Sequence, residues 1–306
     1  MATRRAAGPT HALRAVPSLR PRPVRARTSM TPLADLWSLE GRCSIVTGAA
    51  QGFGAAIAWR LAEAGATVTV ADINKTAARS TADRIAAETG GTCVGHRVDV
   101  SDEASVAGLF GAVGSRVGPV DILVNNAGVF SNYLATEMPR EEFARILDVN
   151  VTGGFLCARA AARSMRTRGT GVIINVASVD AQVPSAEGLA HYTTSKHAIA
   201  GLTRSLAMEL APHGIRVNAV CPGAAMTEGA VEFVKAGAPQ GIDLEAQWAG
   251  IVDRTPLGRL CKPDDVGRAA VFLASDMAEF ITGTLLAVDG GILIQPLEGY
   301  VSAGHD

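Results

Sequence analysis

Tyr192 and Lys196 stand four residues apart in the run Tyr192-Thr193-Thr194-Ser195-Lys196. On a helix, this spacing places the phenol and the ammonium on one face. A free tyrosine has a pKa of about 10 and is a poor base at neutral pH. A neighbouring lysine favours the phenolate and lowers the tyrosine pKa, so the pair could exchange a proton with a substrate. Because this spacing arises by chance in many helices, its meaning depends on the rest of the chain.

A glycine-rich run near the start of the chain is the second candidate site. Thr47-Gly48-Ala49-Ala50-Gln51-Gly52-Phe53-Gly54 follows an apolar, strand-like segment and opens a helix-like one. Glycines in this context allow a tight turn and let the backbone approach a pyrophosphate at the helix N-terminus. An isolated glycine match would equally fit a plain turn. The strand before it and the helix after it favour a nucleotide site.

Asp72 ends the next strand-like segment, about 20 residues beyond the glycines, where an acid can bind the adenosine ribose hydroxyls. A carboxylate there would repel a 2′-phosphate. Neither Gln51 nor Ile73 supplies a cation to neutralise one, and Lys75 is the only basic residue nearby. We therefore predict NAD rather than NADP as the cofactor. The alternative role of Asp72 is to cap the following helix.

Polar residues also end three later strand-like segments: Asp99 before Val100, Asn125-Asn126 before Ala127-Gly128, and Ser178. In a parallel sheet, the carboxyl ends of the strands line the ligand crevice. Capping of the next helix explains Asp99 equally well. Asn150 lies inside a helix-like stretch, where asparagine is mildly unfavourable, and alone it would indicate little.

Strand-like and helix-like segments alternate from Arg42 onward. The strand-like runs are Cys43–Thr47, Thr67–Ala71, Cys93–Val98, Ile122–Asn125, Val172–Val176, Val217–Val220 and Leu285–Val288. The helix-like runs are Ala55–Ala64, Lys75–Thr89, Glu103–Val117, Arg140–Arg168, Ala190–Ala211 and Pro263–Ala274. Most strands are apolar on both faces, as buried parallel strands are. The pattern predicts an α/β fold with a doubly wound parallel sheet, the Rossmann fold, of about seven strands with helices on both faces.

The first 30 or so residues differ from the rest of the chain. They are rich in Arg, Pro and Ala, and no acidic residue precedes Asp35. Such a segment cannot bury enough apolar surface to fold, so we expect residues 1–35 to be a disordered extension and residues 36–306 a single domain. A transit peptide, a twin-arginine signal at Arg4-Arg5, a plain tail and a start at Met30 are the possible explanations. The absence of an apolar region after Arg4-Arg5 favours the last two.

Between Pro222 and Leu260 the sequence shows no strand, and we predict an irregular substrate lid over residues 223–260. Apolar residues in this segment suggest a partly apolar substrate, although packing of the lid on the sheet explains them as well. They are Met226, Val231, Phe233, Ile242, Leu244 and Trp248, and Val183 and Leu189 could extend the same wall.

Composition limits the classes of partner. The 306 residues are 48% hydrophobic and carry a net charge of −1, which gives no overall field for nucleic acid or an anionic membrane. No apolar run reaches the roughly 20 residues of a membrane span. The five cysteines lack a Cys-x-x-Cys pair and the six histidines lack metal-ligand spacing. We expect no metal, and a reducing, cytoplasmic location.

Taken together, the motifs resemble the short-chain dehydrogenase/reductase family from about Gly41 to Gly291. The Thr-Gly-x-x-x-Gly-x-Gly loop, Asn-Asn-Ala-Gly, a late serine, Tyr-x-x-x-Lys and Pro222-Gly223 occur in the family's order. The loop spacing looks like the single-domain dehydrogenase branch. The unbroken Tyr-x-x-x-Lys disfavours the enoyl reductases, whose tyrosine and lysine lie further apart.

The resemblance implies a role for each matching residue. Tyr192 would exchange the proton, Lys196 would bind the nicotinamide ribose and lower the tyrosine pKa, and Ser178 would polarise the substrate carbonyl. Asn150 would hold a water that links Lys196 to solvent. The implied cofactor-binding residues are Gly48, Gln51, Gly52, Phe53, Gly54, Asp72, Asp99, Val100, Asn126, Ala127, Gly128, Tyr192, Lys196, Pro222, Gly223 and Thr227.

We therefore expect an NAD-dependent oxidoreductase that interconverts a secondary alcohol and a ketone by hydride transfer, with Tyr192 as general acid/base. The small-molecule substrate would have some hydrophobic body, such as a ring, and a sugar or polyol remains an alternative. The resemblance also implies a homotetramer, built partly through the Tyr192 helix and the last strand.

Two other functions compete with this expectation. An NADPH-dependent 3-oxoacyl-carrier-protein reductase is disfavoured by Asp72 and by a lid with few basic residues for an acidic carrier: Lys235, Arg254 and Arg259. A non-catalytic NAD-binding sensor could use the same fold, but it would not need both Tyr192 and Lys196.

Overall fold

The computed structural model describes residues 30–231 and 244–294, and within the second range it leaves the side chains of residues 244, 245 and 247 undescribed. Seven strands form one sheet: β1 Cys43–Thr47, β2 Thr67–Asp72, β3 Cys93–Arg97, β4 Ile122–Asn125, β5 Gly171–Val176, β6 Ile215–Pro222 and β7 Leu285–Val288. Their order is β3-β2-β1-β4-β5-β6-β7, and every neighbouring pair is parallel. The predicted doubly wound parallel sheet is confirmed.

The described helices are α1 Leu33–Trp37, α2 Gly52–Glu63, α3 Lys75–Thr89, α4 Glu103–Arg116, α5 Arg140–Leu147, α6 Gly154–Arg168, α7 Ala190–Leu210, α8 Leu244–Asp253 and α9 Pro263–Ala274. They cover both faces of the sheet. Alternate strand residues point to opposite faces, so Val46 packs in a core with α2, α3 and α9. Its neighbour Ile45 packs in a second core with α4, α6 and α7.

Burial explains why the central strands are apolar on both faces. Every residue of β1, β4 and β5 is buried, as expected for strands covered by helices on both sides. At the sheet edge, β3 is only partly buried, and it accommodates His96 and Arg97.

The predicted helix over Arg140–Arg168 is wrong in its middle. A π-helical turn, Asp148–Gly153, separates α5 from α6. Such wide turns are rare and often occur at functional sites, and this one contains Asn150.

The predicted lid is partly helical rather than irregular. Residues 228–231 are helical and α8 spans Leu244–Asp253. The run of Leu, Glu, Ala and Gln at the start of α8 consists of good helix formers, which is the signal that the sequence prediction missed. Residues 232–243 of the predicted lid, which include Phe233, Lys235 and Ile242, lie outside the described residues.

At the N-terminus, α1 begins at Leu33 and overlaps the end of the range 1–35. Residues 1–29 and 295–306 lie outside the described part of the chain, so the expectations for both tails stay predictions.

All five cysteines are free thiols, and Cys43, Cys157 and Cys221 are buried. Within the two described ranges, no helix has the length and apolarity to cross a membrane. The same residues contain no group of three or more His, Cys, Asp or Glu side chains able to hold a metal ion.

Candidate active site

The strand order reverses between β1 and β4, so the helices after these strands leave the sheet on opposite faces. At such a switch point a crevice opens at the carboxyl ends of the strands. The glycine-rich run follows β1, Asp72 ends β2, and Asn126 follows β4. Ser178 lies two residues after β5, and Gly223 follows β6. The sheet thus brings most of the predicted site residues together at the carboxyl ends of its strands.

The glycine loop is packed too tightly for side chains. Gly48 has a φ of +61° and Gly52 a φ of +58°, which L side chains rarely adopt. A Cβ on Gly48 would lie 2.7 Å from the Cα of Ala127, and one on Gly54 only 2.4 Å from the carbonyl oxygen of Gly48. Gly48 and Gly54 therefore let the loop pack closely on itself and on the segment that follows β4.

Asn126 holds this loop in place. Its Nδ2 donates to the carbonyl oxygens of Thr47 and Gly48 at 2.9 and 2.8 Å. The hydroxyl of Thr47 accepts from the backbone N–H groups of Asn126 and Ala127, both at 3.1 Å. The two residues lock the Asn-Asn-Ala-Gly segment to the glycine loop, which gives Asn126 a structural task beside any contact with a cofactor.

The start of α2 is suited to an anion. Gln51 is its N-cap residue, and its side chain makes no capping hydrogen bond. The first N–H groups of a helix without a cap can bind a phosphate, which the helix dipole also favours. Thr227 approaches this turn, since a Cβ on Gly52 would lie 3.5 Å from its side chain. Phe53 instead packs against the core. The cradle that the glycines leave open fits a dinucleotide pyrophosphate.

Asp72 faces the glycine loop and is not a helix cap. Its carboxylate accepts from the backbone N–H groups of Ala50 at 3.1 Å and Asn74 at 3.0 Å. Asn74 caps α3 by accepting from Ala77 N at 3.1 Å. The alternative that Asp72 caps the helix is therefore wrong.

Asp99 is likewise not the N-cap residue of the helix that follows it. Its Oδ1 accepts from the N–H and hydroxyl of Ser101 at 3.0 and 2.6 Å, while Asp102 caps α4. Val100 is buried, and a Cβ on Gly153 in the π-helical turn would lie 2.7 Å from its Cγ2. The Asp99-Val100 segment is thus fixed against the turn that carries Asn150.

Asn150 is buried, and both polar atoms of its side-chain amide are hydrogen-bonded. Its Oδ1 accepts from Val129 N at 2.8 Å, and its Nδ2 donates to Val129 O at 2.9 Å and to the Ser195 hydroxyl at 3.0 Å. Asn150 therefore joins the loop after β4 to helix α7 at Ser195, the residue that precedes Lys196. Gly128 lies beside it, because a Cβ there would be 3.4 Å from the Asn150 Oδ1.

Tyr192, Ser178 and Lys196 come together in front of β5. The Lys196 ammonium lies 5.3 Å from the centroid of the Tyr192 ring and donates to the Val176 carbonyl at 3.0 Å. The Ser178 hydroxyl faces the phenol. Phe130 packs edge-on against the tyrosine ring with centroids 5.8 Å apart. The spacing of the Tyr-Lys pair therefore does place both side chains on one face of α7.

Burial shifts the pKa values of the Tyr-Lys pair. It raises the pKa of Tyr192 well above its usual value; the Ser178 hydroxyl opposes this rise, and the charge of Asp180 adds to it. Burial also lowers the pKa of Lys196 to about 8. The sequence predicted a lowered tyrosine pKa. The direction is reversed because desolvation of the phenolate outweighs the other effects.

Residues at the end of β6 complete this edge of the sheet. Pro222 is the last residue of β6, and Gly223 N donates to Val288 O in β7 at 3.1 Å. A Cβ on Gly223 would lie 2.9 Å from the Cα of Asp289, so only glycine fits. Among the predicted wall residues, Met226 and Val183 are exposed and Leu189 is buried.

Sequence analysis missed two polar clusters beside Tyr192. Asp180 is buried next to Ser178. His191 is fully buried, with its Nε2 2.7 Å from the Ser131 hydroxyl. Ser131 in turn donates to Glu142 at 2.5 Å. A buried histidine next to Tyr192 was the available signal, but its partners lie far away in the sequence.

Comparisons with known proteins agree with this geometry. The family model described as "Enoyl-(Acyl carrier protein) reductase" matches residues 48–293. A cis-4-hydroxycyclohexanecarboxylate dehydrogenase of Sinomonas cyclohexanicum is 41% identical over 82% of this chain and 96% of its own. An L-rhamnose 1-dehydrogenase (NAD(P)(+)) of Azotobacter vinelandii is 40% identical over 82% of this chain and 96% of its own.

Among solved structures, a gluconate 5-dehydrogenase from Burkholderia cenocepacia J2315, in complex with NADP and tartrate, superposes with a TM-score of 0.78. It is 35% identical and covers 85% of this chain and 98% of its own. The family model begins at Gly48 in the glycine loop and extends beyond β7. The three named relatives are all dehydrogenases.

Proposed function

Because the chain belongs to the short-chain dehydrogenase/reductase family, we propose that Tyr192 is the acid/base of its reaction. The protein is an oxidoreductase that acts on CH–OH groups and interconverts a secondary alcohol and a ketone by hydride transfer. One observation carries the assignment of Tyr192: its phenol, the Ser178 hydroxyl and the Lys196 ammonium converge at the carboxyl end of β5.

Each of these residues has a distinct task. Tyr192 gives its proton to the ketone oxygen in reduction and takes the hydroxyl proton in oxidation. Ser178 orients the substrate oxygen toward the phenol, and Lys196 places a positive charge beside the ring that bears the developing phenolate. Asn150 holds the loop after β4 and the Ser195 turn of α7 in register. Bound nicotinamide cofactor would supply or accept the hydride.

The ionisation of Tyr192 makes the reaction pH-dependent. The phenol is the form that donates a proton to a ketone in reduction. Oxidation of an alcohol requires the phenolate, so its rate should rise with pH.

We propose NAD as the preferred cofactor. The carboxylate of Asp72 lies beside the glycine loop, held by Ala50 N and Asn74 N, where it would meet the ribose hydroxyls and repel a 2′-phosphate. Gln51 and Ile73 are exposed and carry no charge. The relatives leave both cofactors open, since the rhamnose dehydrogenase is named for NAD(P) and the gluconate dehydrogenase was solved with NADP.

For the substrate, we propose a compact secondary alcohol or ketone that carries a ring or several hydroxyls. Phe130 on the Tyr192 ring and the exposed Met226 supply apolar surface at the crevice. The named relatives act on a hydroxycyclohexane carboxylate, a sugar and a sugar acid. A cyclic hydroxy acid satisfies both observations.

We propose a homotetramer as the working form. Two large apolar side chains are exposed on or beside the elements expected at its interfaces, namely Met208 in α7 and Phe280 before β7, and Phe155 in α6 is exposed as well. Contact with other subunits would cover them. Light scattering of the purified chain should give four chain masses, and a monomer would contradict the proposal.

We also propose a reducing location, the cytoplasm. All five cysteines are free thiols, including the partly exposed Cys93 and Cys261. Free thiols persist in reducing compartments. Fractionation of the source cells tests this assignment.

The decisive experiment follows the absorbance of reduced nicotinamide with the purified chain. NAD and NADP are compared with a panel of cyclic hydroxy acids, polyols, sugars and the matching ketones. We expect turnover that favours NAD and falls about 10²- to 10⁴-fold in Tyr192→Phe. Thr194→Ala, at an exposed position of the same helix, is the control and should keep activity within about twofold.

Each result has a defined meaning. Full activity in Tyr192→Phe would refute the assignment of Tyr192. A preference for NADP, together with turnover of 3-oxoacyl thioesters, would support the carrier-protein reductase instead. Asp72→Asn keeps one acceptor but removes the charge, so we expect it to weaken NAD binding about tenfold and to strengthen NADP binding.

A further inference from the structure

Asp180 sits at the centre of a set of hydrogen bonds around Ser178. Its backbone N–H donates to the Ser178 Oγ at 3.1 Å, and the Ser178 hydroxyl donates to its Oδ2 at 3.2 Å. Its Oδ1 accepts from Ser185 N at 3.1 Å and from the Thr193 hydroxyl at 2.8 Å. The side chain is almost completely buried, with 3% of its surface exposed. Asp180 thus connects Ser178, the following loop and the residue next to Tyr192.

The lengths of these bonds suggest different tasks for the two oxygens. The bond from Thr193 is short and fixes the turn to helix α7. The bond from Ser178 is longer than the usual 2.7–2.8 Å for a hydroxyl donor. The backbone N–H therefore holds the Ser178 oxygen in place, while its hydrogen can leave Asp180 and turn toward a substrate oxygen.

We propose that Asp180 is a positioning residue for the reaction: it fixes the Ser178 hydroxyl against Tyr192 and holds a buried carboxylate beside that hydroxyl. This inference rests on the proposed function of Tyr192 and Ser178. Asp180 contacts Ser178 and Thr193, so it would act on the substrate only through Ser178.

Electrostatics support the second half of this inference. The charge of Asp180 raises the pKa of Tyr192 and also that of Lys196. Other titratable groups lie on α7 and the elements packed against it, but Glu142 and Arg145 on α5 pair with each other, and Ser131 links Glu142 to His191 rather than to the phenol. Besides Tyr192, α7 carries His191, Lys196, His197, Arg204 and Glu209, β6 carries Arg216 and Cys221, and α5 carries Arg140, Glu141, Glu142 and Arg145.

Asp180→Asn separates charge from packing. The Asn oxygen can still accept from Thr193 and Ser185 N, whereas the charge is lost. We measure kcat/KM for alcohol oxidation against pH, which reports the ionisation of the free enzyme. The rising limb should move about one pH unit toward lower pH, because the phenolate no longer faces a negative charge. Thr193→Val is the matched control: it loses the bond to Asp180 but keeps the charge, so its limb should stay at the wild-type pH.

A second measurement does not depend on turnover. Ultraviolet difference titration records tyrosinate formation, and subtraction of the Tyr192→Phe protein isolates one of the three tyrosines. Asp180→Asn should ionise Tyr192 at lower pH than the wild type. Asp180→Ser, which also lacks the charge in a smaller side chain, replaces it if thermal melting shows that the Asn variant does not fold.

The outcomes separate the inference from its premise. The inference would be overturned if the variants without the charge kept both the wild-type pH dependence of kcat/KM and the wild-type pH of tyrosinate formation. It would also be overturned if Thr193→Val shifted the pH dependence as much as Asp180→Asn does. If Tyr192→Phe kept full activity, the proposed function would fail first, whatever Asp180 does.

Discussion

The ammonium of Lys196 lies 5.3 Å from the centroid of the Tyr192 ring and has the Val176 carbonyl as a hydrogen-bond partner at 3.0 Å. Only 6% of Lys196 is exposed. A buried cation with so few neutralising neighbours is unfavourable for the folded state, and this is why its pKa falls to about 8. The position of the charge serves the reaction at the expense of stability.

We predict that Lys196→Met raises the free energy of unfolding at pH 7 by about 1–2 kcal/mol, although it abolishes activity. The folded-state pKa is below the value of 10.5 for a free lysine. The wild-type protein therefore gains stability as pH rises from about 8 toward 10.5, because there the unfolded chain binds more protons than the folded one.

Urea unfolding at pH 7, 8.5 and 10 tests this prediction. The advantage of Lys196→Met should shrink between pH 8 and 10.5, the range set by the two pKa values. A variant less stable than the wild type at pH 7 would show that the bond to Val176 outweighs the desolvation of the ammonium.

Asn150 gives a prediction of the opposite sign. Asn150→Ala leaves the N–H and carbonyl of Val129 and the Ser195 hydroxyl without their partner. Buried polar groups that lose a hydrogen bond cost about 1–3 kcal/mol each, and partial rearrangement brings the expected loss to about 2–4 kcal/mol. Asn150→Asp keeps the acceptor for Val129 N but places a buried carboxylate against the Val129 carbonyl, so it should be at least as destabilising as Asn150→Ala in urea unfolding. Equal stability of all three proteins would contradict the role of Asn150.

The sequence predicted the sheet well because its signal is local. Strands buried on both faces are mostly apolar, so runs such as Cys43–Thr47 and Ile122–Asn125 match the structure at both ends. The Tyr192-Lys196 spacing was equally informative, since a helix fixes which residues share a face. Both predictions needed only neighbouring residues.

Features that depend on distant partners were missed. The π-helical turn around Asn150 is accompanied by hydrogen bonds to Val129, 21 residues away. Asp180 acquires its role only when Thr193 on α7 approaches it. The direction of the Tyr192 pKa shift depends on the burial of the phenol, which no spacing reveals. In each case the feature depends on tertiary packing between residues that are far apart in the sequence, so no local sequence pattern predicts it.

The glycine loop offers a paired test of close packing. In Gly54→Ala the new Cβ would lie 2.4 Å from the Gly48 carbonyl oxygen and 2.5 Å from the Asn126 Nδ2, so the loop must move. We expect dinucleotide affinity to fall at least about tenfold, measured by NADH fluorescence. Gly111→Ala in α4 meets nothing within 4 Å and should instead stabilise the protein by about 0.5–1 kcal/mol. Unchanged affinity in Gly54→Ala would mean that the loop tolerates the shift.

Glu142 supplies a pH-dependent prediction. Two bonds from Arg145, at 2.8 and 2.7 Å, and one from Ser131 hold its carboxylate, and the Arg145 bonds are the main cause of a pKa lowered to about 2. Because the folded-state pKa lies below the usual 4.5, the stabilisation is complete above pH 4.5 and is lost as pH falls toward 2. Only 17% of the side chain is exposed, so the pair is less screened than a surface one.

We therefore expect Glu142→Gln to lose about 1–2 kcal/mol at pH 7 and to approach the wild type near pH 3. Glu103→Gln is the control, because Glu103 pairs with Arg159 but is 70% exposed. An exposed pair contributes little, so this variant should change stability by no more than about 0.5 kcal/mol at either pH. Unfolding in urea at pH 7, 5, 4 and 3 measures both. A loss in Glu142→Gln that is the same at every pH would trace it to packing against Ser131 and His191 rather than to the charge.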